Sequence, residues 1–198
     1  MTTTTARILH TAALAVALAA APAVVLAAPA SAGATNCAAT WGSQPRTADP
    51  AGEQGLQFLL NVRSGHHLCY DRVVLDLVGN ESGPAGYTVQ YVPTVINENT
   101  QQAVPVAGGA ALQVLIGKGN YDYGSQSSGY NPADPARLVD VTGYRTLRQV
   151  AWADTFAADD TTTIAIGVRA RLPMRAFLLP SATQFTGQRL VIDIAHRW

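Results

Sequence analysis

The sequence carries little charge and almost no lysine. Asp, Glu, Lys and Arg make up 13% of its 198 residues, the formal net charge is zero, and Lys118 is the only lysine. Proteins that bind nucleic acid or an anionic membrane surface usually carry an excess of basic residues that attracts phosphate groups. The composition therefore argues against both as the main partner of this chain.

Two motifs that mark common catalytic sites are also missing. Residues 117–119, Gly-Lys-Gly, lack the earlier glycine and the following hydroxyl residue that a phosphate-binding P-loop requires. The serines of segment 124–129 miss the G-x-S-x-G spacing of a hydrolase nucleophile. A triad of such a serine with His66 or His67 and Asp71 can be drawn, but no spacing requires it. We therefore expect no catalytic residues and no cofactor, and keep a small extracellular hydrolase that uses His66 or His67 as an alternative.

Long stretches with helical periodicity are absent after residue 55, where the dominant period is two. Apolar residues alternate with polar ones in several short runs, near residues 56–62, 87–91, 112–116, 164–168, 176–179 and 190–195. Gly, Pro, Asn and Asp separate these runs, as is typical of antiparallel sheets. We predict an all-β domain over residues 55–198, an antiparallel β-sandwich of about eight or nine strands. Segment 144–152 is the least regular, because its apolar spacing also permits a short helix.

The first 32 residues have the organisation of an export signal. Arg7 precedes an Ala/Val/Leu-rich run over residues 11–28, and residues 30–32, Ala-Ser-Ala, supply the small side chains of a cleavage site. We predict a signal peptide over residues 1–32 and a secreted protein, extracellular or associated with the cell wall. A retained membrane anchor is the alternative. Residues 33–54 are rich in Ala, Thr, Pro, Gly and Asp, which predicts a flexible N-terminal lead-in.

Only two cysteines are present, Cys37 and Cys69. An exported chain meets oxidising conditions, so we expect these residues to form a disulfide that holds the lead-in against the sheet. The alternative is a metal site built from the cysteines with His66 and His67. Adjacent histidines on extended backbone point in opposite directions, and no fourth ligand has suitable spacing, so we expect no metal site.

One strand pattern occurs twice, in residues 71–77 and again in residues 188–194. Each copy places an arginine four residues before an aspartate, with aliphatic residues between them. If the two strands are antiparallel neighbours, Arg72 meets Asp193 and Arg189 meets Asp76 as reciprocal ion pairs. In the alternative interpretation the arginines face an open groove and bind carboxylates or phosphates. On that interpretation the candidate ligand-binding residues are Arg63, Arg72 and Arg189.

A long loop over residues 117–138 is the main candidate for a functional surface. It contains Tyr121, Tyr123 and Tyr130 among Gly, Asn, Ser and Gln residues, and loops of this length are often binding loops. Aromatic rings offer apolar faces to sugars, so the three tyrosines are candidate ligand-binding residues. The alternative is that a tyrosine folds back to anchor the loop on the sandwich.

From residue 62 to residue 196 the chain resembles the AMIN-like domain family of exported actinobacterial proteins. Four segments carry the resemblance: Val-Arg-Ser-Gly-His at 62–66, Tyr-Asp-Arg-Val-Val-Leu-Asp-Leu-Val-Gly at 70–79, Tyr-Thr-Val-Gln-Tyr-Val at 87–92 and Arg-Leu-Val-Ile-Asp-Ile-Ala-His at 189–196. The related AMIN domains are β-sandwich modules that target cell-wall amidases and secretion or pilus components to peptidoglycan.

The resemblance implies a non-catalytic envelope module whose partner is peptidoglycan or a cell-wall glycan. An alternative is an interaction module that docks onto another exported protein through a strand edge or the long loop. We expect no nucleic-acid partner and no membrane insertion after signal cleavage.

Overall fold

The structure is a computed structural model, and it describes residues 37–49, 58–78, 84–97, 99–117, 121–122, 127–153, 161–180 and 187–198. The predicted signal peptide lies outside these ranges. Within them the chain forms strands and connecting loops: β1 (Arg46–Ala48), β2 (Phe58–His66), β3 (Tyr70–Val78), β4 (Tyr87–Val92), β5 (Val95–Ile96), β6 (Ala103–Val104), β7 (Ala110–Ile116), β8 (Tyr121–Asp122), β9 (Ser127–Ser128), β10 (Leu147–Trp152), β11 (Thr162–Val168), β12 (Met174–Pro180) and β13 (Gly187–Ala195).

Nine of these strands form two main sheets with antiparallel pairing throughout. One sheet has the order β1-β4-β7-β11-β10 and the other the order β12-β13-β3-β2, while β5–β6 and β8–β9 form two short hairpins. The predicted all-β sandwich is confirmed. Segment 144–152 contributes strand β10 and not a helix. A register shift between Leu147 and Gln149 accounts for its irregular apolar spacing.

The core lies between the two main sheets and consists of the alternate residues of each strand that face inward. Alternate residues of β3 and β13 are fully buried there, among them Leu75 and Ile192, and they face buried residues of β7 and β11 such as Val114 and Ile166. Burying each side chain of this kind stabilises the fold by about 1.5–3 kcal/mol. The remaining residues of β3 and β13 therefore point away from the core.

The outer face of the five-stranded sheet is covered by its own chain. Val95 of the β5–β6 hairpin packs with Ala151, Ala153 and Ala165 in a second buried cluster. The covering segment comes so close that a Cβ at Gly167 would lie 2.1 Å from the carbonyl oxygen of Ala107. On the outer face of the four-stranded sheet, Trp41 lies over Arg175, and the outward residues Val191 and Asp193 are buried.

Residues 37–49, inside the predicted flexible lead-in, are part of the fold. The predicted disulfide joins Cys37 to Cys69, and β1 pairs with β4. Arg46 donates to the carbonyl oxygen of Trp41, and the Met174 N–H donates to the Gly42 carbonyl oxygen at 2.8 Å. The prediction of a flexible lead-in over residues 33–54 is therefore wrong for residues 37–49. The composition of this segment does not indicate that it contacts strands distant in the sequence.

We predict that the Cys37→Ser/Cys69→Ser variant unfolds more easily than the parent. The disulfide spans a sequence separation of 32, and removing a cross-link of this span costs about 3–4 kcal/mol in the chain-entropy treatment. Urea unfolding followed by tryptophan fluorescence measures the difference. Reductant should weaken the parent to the same extent and leave the variant unchanged. Equal unfolding free energies for oxidised parent and variant would contradict the prediction.

Candidate functional site

A cluster of three ionisable side chains lies at one end of the sandwich. His66 on β2 is the register partner of Asp71 on β3, and Asp71 is also paired with Ile194 on β13. His196 follows β13, and its N–H donates to the Cys69 carbonyl oxygen at 2.9 Å. The alternation places all three side chains on the core side of the sheet, where the hydrophobic core ends.

Asp71 is completely buried, and its carboxylate joins the two sheets. Its Oδ2 accepts hydrogen bonds from the backbone N–H groups of Thr146 at 2.6 Å and Leu147 at 3.1 Å, at the start of β10 in the opposite sheet. Its Oδ1 lies 2.9 Å from Nε2 of His196 and 4.0 Å from Nε2 of His66. One carboxylate therefore organises the ends of β2, β3, β10 and β13.

His196 is the functional candidate that the sequence analysis did not single out. Its Nδ1 lies 3.2 Å from the Leu68 carbonyl oxygen, and its Nε2 faces Asp71. Both neighbours are hydrogen-bond acceptors, so a neutral ring, which carries a single N–H, donates to only one of them. A sequence signal existed, because His196 continues the inward alternation of Leu190, Ile192 and Ile194.

The adjacent histidines point apart, as the extended backbone predicts. His66 stacks on His196 with ring centroids 5.6 Å apart and meets Tyr144 edge-on. His67 stacks on Tyr70 at 4.5 Å. Because the cysteines are bonded to each other, the alternative metal site built from them is excluded. The side chains of the serines proposed for a triad lie outside the described residues.

The outer face of the four-stranded sheet carries the three arginines that were predicted to bind a ligand. In register, Arg63 faces Val74, Arg189 faces Asp76 and Arg72 faces Asp193. Each lies at an outward position of its strand. The interpretation of the repeated pattern as two neighbouring antiparallel strands is thus confirmed.

The first of the two predicted ion pairs forms, and it includes a second arginine. Arg72 binds Asp193 through two hydrogen bonds of 2.6 and 2.9 Å, and Arg175 contacts the same carboxylate at 2.8 Å. Asp193 is fully buried beneath them. The hydrogen bonds to Asp193 raise the pKa of the Arg72 guanidinium above its ordinary value, so this arginine stays charged. Arg72 is therefore held in place by Asp193.

The second predicted ion pair does not form. Arg63 binds both oxygens of Asp76, at 2.6 and 2.7 Å. Arg189 donates to the Pro180 carbonyl oxygen at 3.0 Å instead. The prediction that Arg189 pairs with Asp76 is correct for the backbone register and wrong for the side chains.

Aromatic rings surround the two arginines that share Asp193. The guanidinium of Arg175 lies 4.3 Å from the Trp41 ring centre, and both it and Arg72 lie within 6 Å of Tyr70 and Phe177. We call Trp41, Tyr70, Arg72, Arg175 and Phe177 the arginine–aromatic patch. Two guanidinium groups share one carboxylate there, so the patch is positively charged. It combines a cation with apolar ring faces, a combination that suits a ligand with both a carboxylate and an apolar face.

Of the three predicted ligand-binding tyrosines, only the side chain of Tyr130 is described. It packs against the core and lies 5.9 Å from the Trp152 ring, and its burial raises the pKa of its hydroxyl. Tyr130 thus folds back onto the sandwich, which was the alternative interpretation. Tyr121 is described only as backbone in β8, and Tyr123 lies outside the described residues.

An open groove of about 570 Å³ lies between the loop over residues 134–144 and β10. Its polar groups bond to the loop itself. Hydrogen bonds from the side chain and from the backbone N–H of Thr142 lower the pKa of Asp140. Gln149 accepts from the Ala107 N–H and donates to the Ala136 carbonyl oxygen. These hydrogen bonds hold the loops around the groove together. The arginine–aromatic patch is therefore the better candidate for ligand binding.

Comparison with known proteins gives one match. The family model described as the AMIN-like domain matches residues 57–196, which contain the ionisable cluster and every patch residue except Trp41. No curated protein and no solved structure matches the chain significantly. The described part of the chain contains no helix with the length and apolar character needed to cross a membrane.

We predict that Asp71→Ala is far more destabilising than Asp76→Ala. Both variants remove a carboxylate from β3, but Asp71 is buried and its loss leaves two backbone N–H groups and His196 without their partner. That loss should cost about 3–5 kcal/mol, whereas loss of the exposed Arg63–Asp76 pair should cost at most about 1 kcal/mol. Urea unfolding of the two variants under identical conditions measures both values. Similar losses would show that Asp71 does not hold the sheets together.

Proposed function

The chain belongs to the AMIN-like domain family, and on that premise we propose that it is a secreted, non-catalytic cell-envelope module. It binds peptidoglycan or a related cell-wall glycan through the arginine–aromatic patch. The observation that carries this proposal is Arg175, which is 40% exposed, lies over Trp41 and is held in place by Asp193.

The chemistry of peptidoglycan suits this surface. Its sugar rings present apolar C–H faces that pack on aromatic rings, and its stem peptides carry carboxylates that guanidinium groups bind. In the patch the cation and the rings are held by the fold before any ligand arrives. A preorganised surface loses less conformational entropy on binding than a flexible loop does.

Export is supported by two independent features. The first 32 residues have the sequence organisation of a signal peptide. The Cys37–Cys69 disulfide is of the kind that forms and persists in oxidising compartments. The disulfide also fixes the segment that carries Trp41, so oxidation outside the cytoplasm completes the binding patch.

A protein partner is the second candidate function. Strands β12 and β2 form the two edges of the four-stranded sheet, and β2 carries the exposed Leu60. An extended segment of another exported protein can add to such an edge through backbone hydrogen bonds. Binding at an edge would not depend on Trp41 or Arg175.

We predict that the purified protein cosediments with insoluble peptidoglycan and that Arg175→Ala and Trp41→Ala each reduce its retention at least fivefold. Arg175→Ala leaves Asp193 with both hydrogen bonds from Arg72, so the fold should survive. The matched control is Arg137→Ala, which removes an exposed arginine from the groove and should bind like the parent. Circular dichroism checks the fold of each variant.

The same assay tests the tyrosine loop. A variant with Tyr121 and Tyr123 changed to alanine should keep most of the parent's retention if the patch is the binding surface. Loss of retention in this variant alone would move the site to the loop. No retention of the parent at high protein concentration would refute the proposal and favour the protein partner.

A further inference from the structure

We propose that His66, Asp71 and His196 form a binding site for a divalent transition-metal ion, and that zinc is the ion the site fits best. Each residue offers one ligand atom, and the three atoms lie within 4.8 Å of one another. The site is separate from the arginine–aromatic patch, because it lies on the core side of the same sheet.

The distances suit a single ion after a small movement of one side chain. Ligand atoms bound to zinc at about 2.0–2.1 Å lie roughly 3 to 3.5 Å from one another. Oδ1 of Asp71 is 2.9 Å from Nε2 of His196 and 4.0 Å from Nε2 of His66. The His66 side chain is 46% exposed, so it is the ligand that can move inward. The two buried ligands need to separate only slightly to reach this range.

The contacts behind the two buried ligands are those expected around a bound metal. The Nδ1 of His196 donates to the Leu68 carbonyl oxygen, which leaves its Nε2 lone pair directed at the site. The Oδ2 of Asp71 is held by the N–H groups of Thr146 and Leu147, which leaves Oδ1 for the ion. Ligands in metal proteins are commonly oriented through their second polar atom in this way.

With Nδ1–H donating to the Leu68 carbonyl oxygen, Nε2 and Oδ1 are two acceptors that face each other, and either a proton or a metal ion must lie between them. A proton satisfies His196 and Asp71 alone and gives no role to His66. His66 nevertheless stacks on His196 and directs its Nε2 toward the same oxygen. Tyr144, the other ring against His66, donates its hydroxyl to Ser64 and does not compete for the site. His66 is thus a third donor directed at the same position, and this feature favours a metal ion.

The donor set selects the class of ion. Two imidazoles and one carboxylate suit zinc and neighbouring transition metals, whereas calcium and magnesium prefer oxygen ligands alone. Three protein ligands with an exposed histidine leave coordination positions open toward solvent. The ion would fasten the ends of β2, β3 and β13 together, and binding to the folded state alone raises thermal stability.

The test is calorimetric titration of zinc into protein that carries no affinity tag, has its disulfide formed and has been stripped of metal with a chelator. The parent should bind one equivalent. His66→Ala should bind at least tenfold more weakly. His67→Ala is the matched control, because it removes the adjacent histidine from the opposite face of the strand, and it should bind like the parent. Near-ultraviolet circular dichroism of both variants confirms that they are folded.

Two further measurements distinguish this site from unspecific binding. Cobalt bound to the parent should give visible d–d absorption that His66→Ala lacks, and zinc should raise the melting temperature of the parent and of His67→Ala but not of His66→Ala. Calcium should produce neither effect. If folded His66→Ala binds zinc as tightly as the parent, or if His67→Ala weakens binding equally, the proposal is overturned. Peptidoglycan retention of His66→Ala is a separate readout, since the patch remains intact in that variant.

Discussion

The buried carboxylate of Asp71 is the constraint on which the arrangement of the two sheets depends. Hydrophobic packing between the sheets is strong, but it is not directional, so it does not by itself determine how one sheet is placed on the other. The hydrogen bonds from Thr146 and Leu147 to Asp71 are directional and cross between the sheets. A charge taken out of water is costly unless every partner is in place, so the end of β10 must meet the end of β3 at this position.

A second buried carboxylate, Asp193, has the opposite orientation and a different consequence. It lies on the outward side of β13, where Arg72 and Arg175 cover it. Because Asp193 holds Arg175, that guanidinium lies over Trp41. Trp41 in turn belongs to the segment tethered by the disulfide. The patch therefore depends on four parts of the chain: Trp41 of the lead-in, Tyr70 and Arg72 of β3, Arg175 and Phe177 of β12, and the buried Asp193 of β13.

Much of the sandwich could be predicted from the sequence, because each half-buried strand alternates apolar residues that face the core with polar residues that face away from it. The same alternation predicted that Arg72 would meet Asp193, since neighbouring strands place such residues side by side. Trp41 could not be predicted in its role, because a short strand and a disulfide position it, and neither leaves a periodic pattern. The sequence also could not predict that Asp76 binds Arg63 and not Arg189. Both arginines occupy outward positions, and only the geometry of their side chains differs.

The adjacent histidines at the end of β2 point to opposite sides of the four-stranded sheet. His66 turns inward to Asp71 and His196, whereas His67 turns outward and stacks on Tyr70 of the patch. The five-stranded sheet cannot offer the same division, because the β5–β6 hairpin covers its outer face. Its strand β11 is accordingly buried along its whole length. On the four-stranded sheet, the outer side thus carries the arginine–aromatic patch, while the inner end holds the cluster of His66, Asp71 and His196. Changes at the cluster that preserve the backbone should therefore leave the patch geometry unaltered, because the two sets of side chains meet only through the strands that carry them.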